Sequence, residues 1–276
     1  MNLLASPSVR LVFGFAAAAL VLAGCGGAKM SPAPVSSPQP VTLTVYSPCI
    51  IGGPLRKVAD AYQASHPGVQ VVPQPYKPLA APAPEAGPAA VVTTGPLEIA
   101  SLVRAGLVSG QGRTFALNTY PLAVVAPAEG SPKLQSLADL ASPSVQRVFL
   151  EDPAVSTLGE RAVQAFRKLG LWQKLAPKVI SPRPGAMVLA DLLAGKADAA
   201  VVFEGCLFGE AGEGGSPPKT IRVIGELPVE LFSPIPYQAA ALELGPHQEV
   251  ARDFVGFLMG EEGRNVLQDS GLRPAK

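Results

Sequence analysis

The stretch VTLTVYSPCIIGGPLRKVADAYQASHPGVQVV (residues 41–72) decides the fold class. Residues 41–46 alternate β-branched with other side chains, which predicts a strand. Gly52-Gly53-Pro54 predicts the opening of a helix, because proline is accepted in a first helical turn. His66-Pro67-Gly68 ends that helix before a second strand at 69–72. Two strands joined through a helix form a β-α-β unit, which indicates a parallel sheet covered by helices.

The same alternation continues to the end of the chain and predicts an α/β protein. The proline-rich stretch 73–88 excludes an ordinary helix there. Further strands are predicted at 89–93, 122–126, 147–150, 199–203, 221–224 and 238–242. Further helices are predicted at 97–105, 134–140, 158–169, 187–193, 247–259 and 262–269.

Size and composition restrict the function. With 276 residues, the chain has room for one large or two small domains. Its formal net charge is +1, so no general positive field exists to attract nucleic acid, and no nucleic-acid partner is expected. Aromatic residues are only 6% of the chain, which disfavours a groove that stacks sugars or bases.

The N-terminus predicts export and a lipid anchor. The apolar run 11–22 is too short to span a bilayer comfortably and is typical of a signal peptide. It leads into Leu22-Ala23-Gly24-Cys25, which resembles a bacterial lipoprotein signal. That resemblance implies a signal peptide at 1–24, a lipidated Cys25 and a tether at 25–40 that is rich in Gly, Ser and Pro. The protein would then lie in the cell envelope, facing the periplasm or the exterior. The alternative is an ordinary secretory signal followed by a chance cysteine.

Several short segments, taken in order and with their spacing, resemble one known family. They are Leu43-Thr44-Val45-Tyr46, His66-Pro67-Gly68-Val69, residues 134–140, Glu151-Asp152-Pro153 followed by Gly159, Leu169-Gly170-Leu171-Trp172, Gly195-Lys196-Ala197-Asp198-Ala199, Pro236-Tyr237 and Gly260-Glu261-Glu262-Gly263. The family is the periplasmic molybdate-binding proteins of ABC importers. The resemblance covers most of the chain after the tether.

The resemblance implies a two-lobed periplasmic solute-binding fold. Lobe one would comprise 41–122 plus 233–276, and lobe two 123–232. Each lobe would be a mostly parallel sheet flanked by helices, with the ligand in the cleft between lobes and held by hinge closure. The implied partners are a small-molecule or oxyanion ligand and an ABC permease subunit. The protein would be a monomer without a cofactor.

The residues that bind the ligand in this family carry over only in part. The loop after the first strand contains Ser47 and Cys49, and Ile50 aligns with a family serine. A second family serine has no counterpart in residues 74–79, and a family tyrosine aligns with Phe203. Three lost hydroxyl donors would weaken oxyanion binding by about 5–9 kcal/mol. We therefore expect a ligand other than molybdate.

Two further positions supply backbone N–H donors in the family and so do not depend on the side chain. They align with Leu158 and Gly185, and we expect both in the ligand site.

Cys49 and Cys206 remain once Cys25 is assigned to lipid. Both fall where the resemblance places ligand contacts, one in each lobe. They could form a disulfide that fixes the lobes together. They could instead bind a soft species such as Cu(I), Zn(II) or arsenite, aided by Glu204 or Met187. They could also be two unrelated buried residues.

No catalytic motif stands out in the sequence. The only histidines are His66, which we expect to cap a helix, and His247, which we expect to be exposed. Glu151-Asp152 lies at a strand end, where the resemblance implies a structural role with Asp152-Pro153 making the turn. We therefore predict a solute-binding lipoprotein and not an enzyme. The alternatives are a soft-metal binder and a surface lipoprotein that kept the fold but lost transport.

Overall fold

The computed structural model describes residues 40–76, 89–117, 120–130, 132–182, 188–208 and 219–275, which belong to one compact unit. The predicted signal peptide at 1–24, all but the last residue of the tether at 25–40, and the predictions for Cys25, Gly185 and Met187 lie outside the described residues.

The described strands alternate with helices, as the sequence predicts. The strands are β1 Val41–Ser47, β2 Val69–Pro75, β3 Ala89–Thr94, β4 Arg113–Leu117, β5 Leu122–Pro127, β6 Val148–Phe149, β7 Val179–Ile180, β8 Ala199–Phe203, β9 Ile221–Leu227, β10 Pro236–Ala241 and β11 Arg273–Pro274. The α-helices are α1 Cys49–Ser65, α2 Pro96–Arg104, α3 Thr157–Lys168, α4 Trp172–Leu175, α5 Val188–Leu193, α6 Gln248–Met259 and α7 Glu261–Asp269. Short 3₁₀ turns lie at Leu137–Ala141, Ala176–Lys178, Glu204–Phe208 and Val229–Leu231.

The strands form two sheets, and both are mixed. The first has the order β11-β4-β10-β3-β1-β2, and the second has the order β7-β6-β8-β5-β9. In the first sheet β1 runs parallel to β2 and β3, while β10 is antiparallel to β3 and β4. In the second, β6 is parallel to β7 and β8, while β5 is antiparallel to β8 and β9. The α/β fold class with two helix-flanked sheets is confirmed, with antiparallel pairs where the chain passes between sheets.

The chain moves from the first sheet to the second between β4 and β5, and returns between β9 and β10. One continuous cluster of buried apolar side chains includes Leu43 and Phe254 beside the first sheet, and Val201 and Phe166 beside the second. The core therefore extends across the interface between the sheets.

The decisive β1-α1-β2 unit is confirmed, but α1 begins earlier than predicted. Its N-cap is Pro48, whose extended backbone (φ −60°, ψ 149°) precedes the first helical residue, Cys49. Pro54, which the sequence analysis placed at the helix start, lies inside the helix. The proline at the strand end sets the boundary, because it disfavours helical geometry in the residue before it. Cys49 and Ile50 therefore lie in the first turn of α1 and not in a loop before it.

One other predicted element differs in the structure, and some of the described elements were not predicted. The helix predicted at 134–140 is a 3₁₀ turn at Leu137–Ala141, whose start is fixed by a capping box between Ser136 and Asp139. The strand β4 was not predicted, because Arg113–Leu117 shows only a brief alternation of side chains. None of the described helices is long and apolar enough to cross a membrane.

Candidate functional site

A disulfide joins a helix that packs beside the first sheet to a turn that follows a strand of the second sheet. Cys49, at the start of α1, forms a disulfide with Cys206 in the turn after β8, and their Cα atoms lie 5.3 Å apart. Of the three interpretations of this cysteine pair, the structure therefore confirms the disulfide. Neither sulfur is a thiolate in this state, so a soft metal could bind the pair only after reduction.

The surroundings of the disulfide offer little else for a metal. Among the described residues, no group of three or more His, Cys, Asp or Glu side chains is placed to hold a metal ion. Burial, together with the charge and hydrogen bond of neighbouring Glu226, raises the pKa of Glu204. Glu204 is therefore paired with a second carboxyl group.

The two sheets with their flanking helices are called here the two halves of the protein. Next to the disulfide, Ile50, which aligns with a family serine, makes an apolar contact between these halves. Ile50 is 8% exposed, and its Cδ1 lies so close to Gly205 that a Cβ at position 205 would clash with it. Phe203, aligned with a family tyrosine, packs against the same core. Ser47 is buried at the end of β1. At two positions where the resemblance implies hydroxyl donors, the side chains are therefore apolar and pack among apolar neighbours.

A polar link between the halves joins α2 to the start of α3. The backbone N–H of Thr157 donates to Glu98 Oε1 (2.8 Å), and the Thr157 hydroxyl donates to Glu98 Oε2 (2.6 Å). The same hydroxyl oxygen accepts from the backbone N–H of Leu97 at 3.2 Å. Thr157 is 2% exposed, so these bonds are shielded from water. The carboxylate of one half thus caps a helix of the other.

The local backbone makes this approach possible. Gly95 is the N-cap of α2, and a Cβ there would lie 2.6 Å from Glu98 Oε2 and clash with the Thr157 side chain. Pro96 then starts the helix and places Glu98 in its first turn. Only glycine fits at position 95 when α2 and α3 lie this close.

The predicted backbone donor Leu158 is the second residue of α3 and is 5% exposed. Its neighbour Gly159 donates its N–H to the hydroxyl of Ser156, the N-cap, at 3.3 Å. The first N–H groups of a helix have no partner within the helix and attract negative charge. Leu158 therefore lies where an anion is favoured, beside the carboxylate of Glu98.

The same helix end contains a second carboxyl group. The Ser156 hydroxyl donates a short hydrogen bond to Glu151, and burial, assisted by the charge of Glu98, raises the pKa of Glu151. Burial and the same two carboxyl groups raise the pKa of Tyr76, which follows β2. Two carboxyl groups and a phenol therefore lie close together in buried surroundings at this interface.

Asp152 makes the predicted turn. Its carboxylate accepts the N–H of Ala154 at 2.9 Å, and its carbonyl accepts the N–H of Ser156 at 2.9 Å. Glu98 was not among the predicted site residues. The available signal was Gly95-Pro96 followed by an acidic residue in the first turn of a helix.

The two histidines lie at helix ends. His66 caps the C-terminus of α1, stacks on Tyr62 with ring centroids 3.9 Å apart, and lies 3.2 Å from Asp253. His247 precedes α6 in a left-handed conformation (φ 62°), and its side chain is 50% exposed. The predictions of a cap and of an exposed side chain are both confirmed.

Comparison with known proteins adds a family. The model of the family described as bacterial extracellular solute-binding protein matches residues 43–273. YvgL of Bacillus subtilis (strain 168), provisionally named a substrate-binding lipoprotein of an ABC transporter, is 22% identical over 257 residues, covering 92% of this chain and 93% of YvgL. The molybdate-binding protein ModA of Mycobacterium tuberculosis (H37Rv) is 25% identical over 274 residues, covering 96% of this chain and 98% of ModA.

Solved structures show the same fold at low identity. The sulfate-binding protein SubI of Mycobacterium tuberculosis H37Rv superposes with a TM-score of 0.56 at 19% identity, covering 86% of this chain and 88% of SubI. The periplasmic molybdate-binding protein of Azotobacter vinelandii gives 0.52 at 18% identity, covering 85% of this chain and all of that one.

Proposed function

The chain belongs to the bacterial extracellular solute-binding proteins, in the molybdate-binding-like group that serves ABC importers and is not enzymatic, and from this premise we propose its particular role. It captures a small solute outside the cytoplasmic membrane and presents it to an ABC permease. The solute binds between a lobe built on the first sheet (41–122 plus 233–276) and a lobe built on the second (123–232).

One observation supports this position of the site. The first turn of α1, the N-terminus of α3 and the turn after β8 come from both halves and converge on one interface. In open α/β sheets, ligands bind at loops and helix N-termini of this kind. Two shallow surface concavities, of about 470 and 400 Å³, instead involve α7, β4 and the C-terminal residues and include no member of this interface.

The lining of the interface favours a solute other than a free oxyanion. Ile50 and Phe203 offer no hydroxyl donor, and the carboxylate of Glu98 adds negative charge. The supporting argument is electrostatic, because like charges in a poorly solvated interface repel.

Thermal unfolding of the full-length protein in detergent tests this proposal. Molybdate, tungstate, sulfate, Zn(II), Cu(I) and arsenite would each be added under oxidising and reducing conditions, beside a small-molecule extract of the host analysed by native mass spectrometry. A solute at a hundred times its Kd adds about 2.7 kcal/mol, which raises Tm by roughly 5–11 °C. We expect a bound solute from the extract and no shift with the oxyanions. If nothing binds in either redox state, capture of a solute is refuted.

A second candidate function follows from the disulfide. Since Cys49–Cys206 joins the two halves, the oxidised protein is restrained from opening, which favours a surface lipoprotein that kept the fold without transport. Solute exchange by the oxidised protein would exclude this candidate. If neither the oxidised nor the reduced protein exchanges solute and both remain folded, the result would support this candidate.

The anchor is also part of the proposal. Cys25 would carry acyl chains and hold the protein at the membrane through the tether 25–40. The supporting observations are the apolar run 11–22 before Cys25 and the lipoprotein name of the Bacillus relative. Labelling cells with a palmitate analogue should mark the wild type and leave Cys25→Ser unmarked. Equal labelling of both would contradict the anchor.

A further inference from the structure

The contact between Glu98 and Thr157 is more specific than an ordinary contact between helices. Each carboxylate oxygen accepts one hydrogen bond, one from the backbone N–H and one from the hydroxyl of the same residue. The residues are 59 positions apart, and α2 and α3 lie beside different sheets. The contact therefore closes the interface and does not stabilise a single element.

The carboxylate of Glu98 is bound at the N-terminus of α3, which is a position suited to anions. Thr157 is the first residue of a helix of 12 residues, and its N–H is one of the donors left unpaired by the helix itself. These donors and the helix dipole bind carboxylates, phosphates and sulfates in the same manner. The carboxylate of Glu98, which belongs to the chain itself, already occupies this position.

We propose that Glu98 is a built-in anionic occupant of the α3 N-terminus, holding the two halves together and excluding anionic solutes from that helix. This inference rests on the proposed function and deepens it, because it assigns the class of solute that the interface rejects. Glu98 is thus a specificity-determining residue of the site.

Two further observations support the assignment. The clash that a Cβ at Gly95 would cause shows that the backbone is adapted to this approach. Glu151 accepts a hydrogen bond from the hydroxyl of Ser156, the N-cap of α3, so a second carboxyl group already occupies this helix end. Both features oppose an oxyanion at the start of α3 while Glu98 is in place.

Chemical rescue tests the proposal. Glu98→Ala removes the carboxylate, so the Thr157 donors become available to an added anion, and the variant should unfold at a lower temperature than the wild type. Sodium acetate, sulfate or molybdate, compared with sodium chloride at equal ionic strength, should raise its Tm by about 3–6 °C at ten times the Kd. The wild type should show no anion-specific shift.

Matched variants separate this role from a structural one. Glu262→Ala removes an exposed acidic residue from the first turn of α7, away from the interface, and should respond to the anions as the wild type does. Glu98→Gln keeps the size and an acceptor but removes the charge. It should fold, and should show a smaller anion effect than the alanine variant because the amide still fills the position.

Two outcomes would overturn the proposal. One is a folded Glu98→Ala that no anion stabilises beyond chloride, and the other is a wild type stabilised as strongly as this variant. Neither depends on finding the natural solute. A wild type that captures a solute while the variant gains no anion effect refutes this inference alone. The reverse pattern refutes the proposed function alone.

Discussion

Loss of the Cys49–Cys206 disulfide should destabilise the protein strongly, because the bond closes a long loop. The two cysteines are 157 residues apart in sequence. In the chain-entropy account, a cross-link at that separation reduces the entropy of the unfolded chain by an amount worth about 5 kcal/mol at 25 °C. At about 2–4 °C per kcal/mol for a domain of this size, Tm should fall by roughly 10–20 °C.

The assay compares four samples by thermal unfolding followed by circular dichroism. They are the wild type and the double variant Cys49→Ala/Cys206→Ala, each with and without a phosphine reductant. Cys49 is exposed, so the reductant has access to the bond in the folded protein. The double variant measures the loss without free thiols, and the reductant should leave its Tm unchanged.

Alkylation of the released thiols and mass spectrometry would establish that the bond has been reduced. If the fully reduced wild type unfolds within about 2 °C of the oxidised protein, the loop-closure reasoning is refuted. If the reductant lowers the Tm of the double variant equally, its effect does not arise from this bond.

Three other substitutions test the packing around the interface. Gly159→Ala should cost about 1–3 kcal/mol in urea unfolding, because the new Cβ would collide with the carbonyl oxygen of Glu151. Ile50→Ala should cost about 2–5 kcal/mol in the same assay, and a loss below 1 kcal/mol would contradict the tight contact with Gly205. Burial raises the pKa of Glu151 above its ordinary value of 4.5, so the folded state holds this proton more tightly than the unfolded chain does. This carboxyl group therefore lowers stability as the pH rises above about 4.5, and the stability of Glu151→Gln relative to the wild type should increase from pH 4 to pH 7; a constant difference would contradict the raised pKa.

Local patterns were sufficient to predict most of the fold. β1 and β8 are short runs of apolar and β-branched residues, and α3 has a buried face with helical spacing. Boundaries were harder where two signals competed. At the start of α1 the pattern offered both Pro48 and Pro54, and the structure uses the first, which moves Cys49 into the helix.

The candidate site could be predicted only where a rare residue type indicated it. The cysteine pair was evident because so few cysteines exist, although the sequence left its state open. The contact of Glu98 with Thr157 could not be read from the chain, since it depends on how α2 and α3 approach each other across two sheets. The local signal, Gly95-Pro96 followed by an acidic residue, indicates a helix start but does not identify Thr157 as the partner of Glu98.

Three different kinds of contact connect the same two halves: a covalent bond at Cys49–Cys206, apolar packing of Ile50 on Gly205, and the hydrogen bonds of Glu98 to Thr157. A solute can close two lobes only by binding the closed form more tightly than the open form. The free energy available for closure equals that difference in binding free energy. In the proposed two-lobed mechanism, these three contacts stabilise the arrangement of the halves described here without a solute. Each 1.4 kcal/mol of that stabilisation reduces the open population about tenfold, and a solute that enters only the open form loses apparent affinity by the same factor. Under the proposed function, these three contacts would therefore affect both which solute is accepted and how readily the site opens to receive it.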